Sequence, residues 1–176
     1  MLVSVTGGTG FVGAHSVAAI LQAGHGVRLL VRDESTVERA LAPLGVDAGV
    51  VEVVAGNVLD RAAVARLVRG ADAVLHAASV YSFDSRRHGA LRETNVAGTE
   101  LVLDAARRAG VGRTVYASSF GALLPAPGRV IGPDSPVGRP REAYLARCGR
   151  WAGCRSATCV TRPLCTRYCS ARRNRA

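Results

Sequence analysis

The stretch Thr6-Gly7-Gly8-Thr9-Gly10-Phe11-Val12-Gly13 decides the fold of this chain. It follows an apolar run, Leu2–Val5, and opens an apolar-periodic segment, Phe11–Ala23, that Gly24 ends. That order predicts a buried strand, a tight glycine turn and a helix. Gly8, Gly10 and Gly13 have the spacing G-x-G-x-x-G. Glycines so spaced permit the turn, let the backbone approach a pyrophosphate, and let the helix pack on the strand. The phosphates would rest on the free N–H groups at the helix start, where the helix dipole also favours an anion. The alternative is a glycine turn needed for geometry alone. Gly7, Gly8, Gly10, Phe11, Val12 and Gly13 are therefore candidate dinucleotide-binding residues.

Outward from this turn, short apolar runs alternate with helix-length periodic segments. Strands are predicted at Val27–Val31, Val50–Val54, Ala73–His76 and Arg113–Ala117. Helices are predicted at Ser35–Leu44, at Asp60–Arg69 with Asp60 as its cap and Gly70 after its end, and at Glu93–Ala109 before Gly110. Strands apolar on both faces and separated by helices imply a parallel sheet covered on both sides, because parallel neighbours need crossover connections. The expected class is α/β, a doubly wound parallel sheet of the Rossmann type. Residues 123–141 hold five of the seven prolines and read as a long loop or lid.

Composition divides the chain in two. Of 176 residues, 48% are hydrophobic and 20% charged, which argues against a disordered, collagenous or coiled-coil chain. The formal charge is +10, with 23 basic residues, all of them Arg. Residues 1–145 carry 15 Arg against all 13 acids, whereas residues 146–176 carry 8 Arg and no acid. The five cysteines, Cys148, Cys154, Cys159, Cys165 and Cys169, fall in the same tail. Residues 1–145 are thus read as one nucleotide-binding domain and 146–176 as an aberrant Arg/Cys-rich tail. No basic residue precedes Arg28 and no apolar run approaches the ~18 residues of a membrane span, so neither a signal peptide nor a membrane partner is read, and a cytoplasmic location is expected. Cysteines spaced without a CxxC pair do not suit zinc, and a basic arm without aromatic platforms does not suit nucleic acid.

Four motifs in order carry a resemblance: TGGTGFVG at residues 6–13, His76-Ala77-Ala78 after the fourth strand, Asn95-Val96-Ala97-Gly98-Thr99, and Ser118-Ser119 after the fifth. Together they resemble the extended short-chain dehydrogenase/reductase family, the NAD(P)-dependent epimerase/dehydratase group with dihydroflavonol reductases and 3β-hydroxysteroid dehydrogenases among its relatives. The resemblance covers residues 2 to about 145. It implies hydride transfer to or from a carbonyl or alcohol carbon of a small-molecule substrate, and leaves a homodimer open for intact relatives.

An acid at the end of the second strand suits the ribose hydroxyls of NAD, whereas an Arg accommodates the 2′-phosphate of NADP. The run Val31-Arg32-Asp33 puts Val where the acid is expected, followed by Arg32, which favours NADP with NAD still admitted. Arg32 is alternatively a solvated charge paired with Asp33 or Glu34. Asp33, 20 residues past Gly13, could itself take a ribose hydroxyl. Asn57-Val58 resembles the family's adenine-side segment, with a turn as the alternative. His76, Ala77 and Ala78 would line the nicotinamide side, unless His76 is a satisfied core histidine. Asn95 resembles the family's helix asparagine, or is a mid-helix Asn without a role.

The family's chemistry rests on a Ser, a Tyr and a Lys four residues after the Tyr, whose charge makes a group of pKa near 10 a usable base. Ser119 fits the first role, with Ser118 the runner-up, and Tyr144 the second. Residue 148 is Cys148, and the chain contains no Lys. Arg147, three residues beyond Tyr144, is close enough on a helix to interact but is not an equivalent cation. The texture change after Leu145 resembles translation of a GC-rich gene in a shifted frame, and the C-terminal portion is expected to be incomplete. Impaired catalysis is the consequence, and a non-catalytic dinucleotide-binding protein is the competing class.

Overall fold

A computed structural model describes residues 1–81 and 88–118. Leu2–Thr6 forms β1 and Phe11–Gln22 forms α1; Gly26–Val31 is β2 and Ser35–Leu41 is α2. Glu52–Ala55 is β3, Arg61–Val68 is α3, and Ala73–His76 is β4. A helical stretch then runs through α4, His88–Arg92, a π-helical segment, Glu93–Gly98, and α5, Thr99–Arg108, before β5, Arg113–Tyr116. All described strand pairs are parallel, in the order β3-β2-β1-β4-β5. This is the doubly wound Rossmann-type sheet that the alternating pattern predicts. Among the described residues no helix is long and apolar enough to cross a membrane.

Each face of the sheet has its own core. Val3, Val5, Val27, Leu29 and Val31 pack with Ala14, Val17, Val37 and Leu41 of α1 and α2. Leu30, Val54 and Val74 pack with Ala63, Val64 and Leu67 of α3 and Val102 and Ala106 of α5. Successive strand residues point to opposite faces, so the near-continuous apolar runs supply both layers. The exceptions are informative. Ser4, Thr6 and His76 are fully buried polar residues. The Ser4 hydroxyl donates to the Leu67 carbonyl at 2.6 Å, at the C-terminal end of α3.

Arg28 reinforces that end. It donates from one guanidinium nitrogen to the carbonyls of Leu67 at 3.0 Å and Arg69 at 2.6 Å. Its Nε lies 2.8 Å from Glu52, a close ion pair without an aligned hydrogen bond. A cation there also complements the negative end of the helix dipole. Asp60 caps the other end of α3 as expected, its Oδ1 accepting from the Ala62 and Ala63 N–H groups at 2.9 and 3.0 Å. Asp60→Ala is expected to lower stability by about 1 kcal/mol, measured by urea unfolding. No loss would show that the helix start is held by other means.

Three boundaries move by more than a residue relative to expectation. The helix read from Glu93 already begins at His88, and runs as a π-helix over Glu93–Gly98 before α5. The strand read at Val50–Val54 begins only at Glu52, because Asp47 accepts the Gly49 N–H at 2.8 Å and bends Ala48–Val50 into a single tight turn. The helix read to Leu44 ends as α-helix at Leu41 and tightens into a 3₁₀ turn, Ala42–Leu44, containing Pro43. The loop at 123–141 and the tail at 146–176 lie outside the described residues.

Candidate functional site

The strand order reverses between β1 and β4, and the two segments leaving the carboxyl ends of those strands meet there. In open α/β sheets this crevice is where ligands bind. Gly7 sits in it with φ +74°, a left-handed conformation that a side chain would strain. A Cβ on Gly7 would lie 2.6 Å from the backbone of both Ala77 and Ala78. A Cβ on Gly13 would lie 2.0 Å from the Gly7 carbonyl oxygen. Both obstacles are backbone, so no side-chain rotation relieves them. At Gly8 the nearest atom is the mobile end of Leu29, at 2.7 Å.

Gly10 precedes α1 without a side-chain cap. Its N–H closes the turn onto the Gly7 carbonyl at 3.0 Å, and its own carbonyl takes the Ala14 N–H at 2.8 Å. The N–H groups of Phe11, Val12 and Gly13 therefore precede the first rung of the helix ladder. Phe11 and Val12 are 82% and 62% exposed, large apolar residues left open at this mouth.

Beneath the crevice runs a chain of hydrogen bonds that links elements far apart in sequence. The Ala78 N–H donates to Thr6 Oγ1 at 3.3 Å, and Thr6 Oγ1 lies 2.6 Å from His76 Nδ1. His76 Nε2 lies 2.8 Å from Thr99 Oγ1, which donates to the Asn95 carbonyl at 3.0 Å. Because the Thr99 proton is committed to Asn95, Thr99 must accept from His76; the proton sits on Nε2 and Nδ1 accepts from Thr6. His76 is thus a neutral, fully enclosed imidazole stacked on Tyr116, with ring centroids 5.6 Å apart. Burial pushes its pKa down to about 4. Both ring nitrogens of His76 are thus satisfied in the core, by threonine hydroxyls and not by a backbone carbonyl, directly before the Ala77-Ala78 segment.

Asn95 has a role of its own. Its side-chain amide donates to the Val80 carbonyl and its oxygen accepts the Val80 N–H, both at 2.7 Å. It sits in the π-helical segment and clamps the chain leaving β4. Gly98, three residues on, lets the helix lie against Val58, where a Cβ would come within 2.6 Å of Val58 Cγ2. Val58 is buried in the core. Asn57 is exposed, and its Oδ1 accepts the Leu59 N–H at 2.8 Å, the turn geometry weighed above. Its amide NH₂ has no partner among the described residues.

At the end of β2, Arg32 is exposed and forms no ion pair among the described residues. Asp33 does not pair with it: Oδ1 accepts the Ser35 N–H at 3.0 Å and the Ser35 hydroxyl at 2.7 Å. Ser118 is exposed just past β5. Ser119, Tyr144, Arg147 and Cys148 lie outside the described residues. Thr6, Thr99, Gly98 and Ser35 were not singled out from sequence for these contacts. The one available sign was polar Ser4 and Thr6 alternating with valines in β1.

This arrangement defines a Rossmann-type protein with a glycine cradle at its topological switch point. Residues 3–148 match the model of the NAD dependent epimerase/dehydratase family, and the chain belongs to that family. Sterol demethylase protein B of Methylococcus capsulatus is 37% identical over 123 residues, covering 70% of this chain and 36% of that protein. The 3 beta-hydroxysteroid dehydrogenase/Delta 5→4-isomerase of Mycobacterium tuberculosis is 39% identical over 129 residues, covering 69% and 32%. Among solved structures, a short-chain dehydrogenase/reductase superfamily protein from Agrobacterium tumefaciens with bound NAD superposes with a TM-score of 0.70 at 28% identity, covering 90% of this chain and 47% of that one. The chain therefore spans about a third of the length of these curated relatives and just under half of that solved chain.

Proposed function

We propose that this chain binds a nicotinamide dinucleotide, NADP(H) in preference to NAD(H), as the cofactor-holding part of an oxidoreductase that moves hydride to or from a carbonyl or alcohol carbon. The observation that carries the reading is the cradle itself. Gly7 and Gly13 leave no room for a Cβ, and the N–H groups of Phe11, Val12 and Gly13 at the start of α1 precede the first rung of its ladder, at the carboxyl end of β1. Such a cradle fits a diphosphate, which uncharged donors and a helix dipole can hold without a side chain. Once bound, the nicotinamide ring supplies or accepts the hydride. The residues of the chain do the rest. Phe11, Val12 and Gly13 grip the phosphates through backbone N–H, Asn57 offers an amide toward the adenine, and Ala77 and Ala78 keep the ring side shallow.

Support for NADP comes from the end of β2. Arg32 is exposed and unpaired among the described residues, while Asp33 is engaged by Ser35. The guanidinium fork matches phosphate geometry. Arg32→Ala is expected to weaken NADPH binding by about 10-fold or more, as loss of a charge-assisted contact of ~1.5–3 kcal/mol implies. NADH affinity should stay within about twofold, because NADH lacks the 2′-phosphate that Arg32 would address. Calorimetric titration of the parent and the variant with both nucleotides reads this directly, and an unchanged ratio overturns the NADP preference.

For catalysis, Ser119 orients the substrate oxygen and Tyr144 moves its proton. Cys148 in place of the family's Lys supports a second reading, binding without turnover, because no ammonium is present to lower the tyrosine pKa. The two separate on a panel of carbonyl substrates. Turnover lost in Tyr144→Phe supports the enzyme, and NADPH bound without oxidation supports the binder.

A further inference from the structure

We infer that Ser35 sets the cofactor preference of this site by holding the Asp33 carboxylate away from the ribose, so that Arg32 alone addresses the 2′ position. The inference rests on the dinucleotide reading above and adds to it a residue that acts through another. Asp33 stands two residues past the end of β2, close enough in sequence to the ribose side to compete for a 2′-hydroxyl. A carboxylate there would favour NAD twice over, by accepting from the hydroxyl and by repelling a 2′-phosphate.

Three hydrogen bonds remove it from that competition. The Ser35 hydroxyl and N–H both donate to Asp33 Oδ1, at 2.7 and 3.0 Å, and the Thr36 hydroxyl donates to the Asp33 carbonyl at 2.6 Å. The first two turn the carboxylate toward the start of α2, and the third fixes the backbone that carries it. The Asp33 pKa is lowered, first by the Ser35 hydroxyl and then by the Ser35 N–H, so the bonds hold the ionised form. Arg32 meanwhile has no partner among the described residues, although an acid adjoins it on the chain. An Asx turn of this kind normally serves only to begin a helix. Here it also engages the acid that adjoins the arginine on the chain, turning its Oδ1 toward α2 while the carboxylate keeps its charge.

The test uses the full chain, NADP⁺ and NAD⁺, and the variants Ser35→Ala, Ser35→Thr and Ser35→Ala/Asp33→Asn. Ser35 is exposed, so the substitutions leave the core intact. Ser35→Ala is expected to shift the NADP⁺/NAD⁺ affinity ratio toward NAD⁺ by about 3- to 10-fold, the scale of one hydrogen bond of ~1 kcal/mol. Ser35→Thr keeps the hydroxyl and should restore the parent ratio. The double variant has no carboxylate to release and should lose the gain. In parallel, the Asp33 carboxyl resonance should titrate higher in Ser35→Ala than in the parent. A parent that binds both nucleotides with a ratio unmoved by Ser35→Ala overturns this inference alone. A parent that binds neither overturns the dinucleotide reading, and this inference with it.

Discussion

Gly13→Ala is expected to abolish dinucleotide binding at concentrations that saturate the parent, and to destabilise the fold by about 1–3 kcal/mol, the usual cost of overpacking. The added methyl would stand 2.0 Å from the Gly7 carbonyl oxygen and 2.9 Å from the Gly8 Cα, so the loop itself must retreat. That loop is already pressed against Ala77 and Ala78 and has nowhere to go without opening the cradle. If the strain is released by loop movement, ~3 kcal/mol converts to on the order of 100-fold in affinity. Gly10→Ala is the control. Gly10 has φ −84°, and its Cβ would meet the Gly7 oxygen at an ordinary 3.4 Å. Titration with NADPH and urea unfolding of both variants provide the comparison. Parent-like affinity in Gly13→Ala would refute a cradle defined by this contact.

Acidification provides the second large effect. Folded His76 has a pKa of about 4 against 6.5 for the free group, so the unfolded chain takes up the proton first. Stability is therefore fully present above pH 6.5, declines as pH falls toward 4, and stops declining below it. The drop amounts to about 3 kcal/mol for one residue, a large share of a typical domain's 5–15 kcal/mol. The geometry explains the cost. A second ring proton on Nδ1 would point at Thr6 Oγ1, which already donates to that nitrogen and accepts from Ala78. Denaturant melts from pH 7 to 4.5 should show the slope, and His76→Gln should lose it. A parent profile flat over that interval would mean that the imidazole is charged or solvated in the folded state.

The fold was legible because its signals are local. The glycine turn, the Asp60 cap and the two-sided apolar strands are each written within a few residues, and α1, α3 and β4 fall within a residue of their expected bounds. Where local signals competed, the apolar pattern misled. Val50 and Val51 look like strand, but the Asp47 turn onto Gly49 delays β3 to Glu52. The site was legible only in part. Residues 6–13 announce themselves, whereas the Thr6–His76–Thr99 contacts join positions 70 and 23 residues apart and exist only once β1, β4 and the helix before β5 are assembled. The π-helical turn at Glu93–Gly98 has no propensity signature, so the Asn95 grip on Val80 could not be foreseen. The Asp33–Ser35 turn had a local signature, Asp-x-Ser, eclipsed by the neighbouring Arg32.

The Arg28 brace bears on how this protein would fail. It ties the far end of α3 to the amino-terminal edge of the sheet, while the glycine loop works at the carboxyl edge. Cohesion and grip thus reside at opposite poles of one small sheet, and injuries to the two poles should sum independently. Damage at the Arg28 pole would reduce how many molecules survive, yet each survivor would hold its nucleotide as well as before.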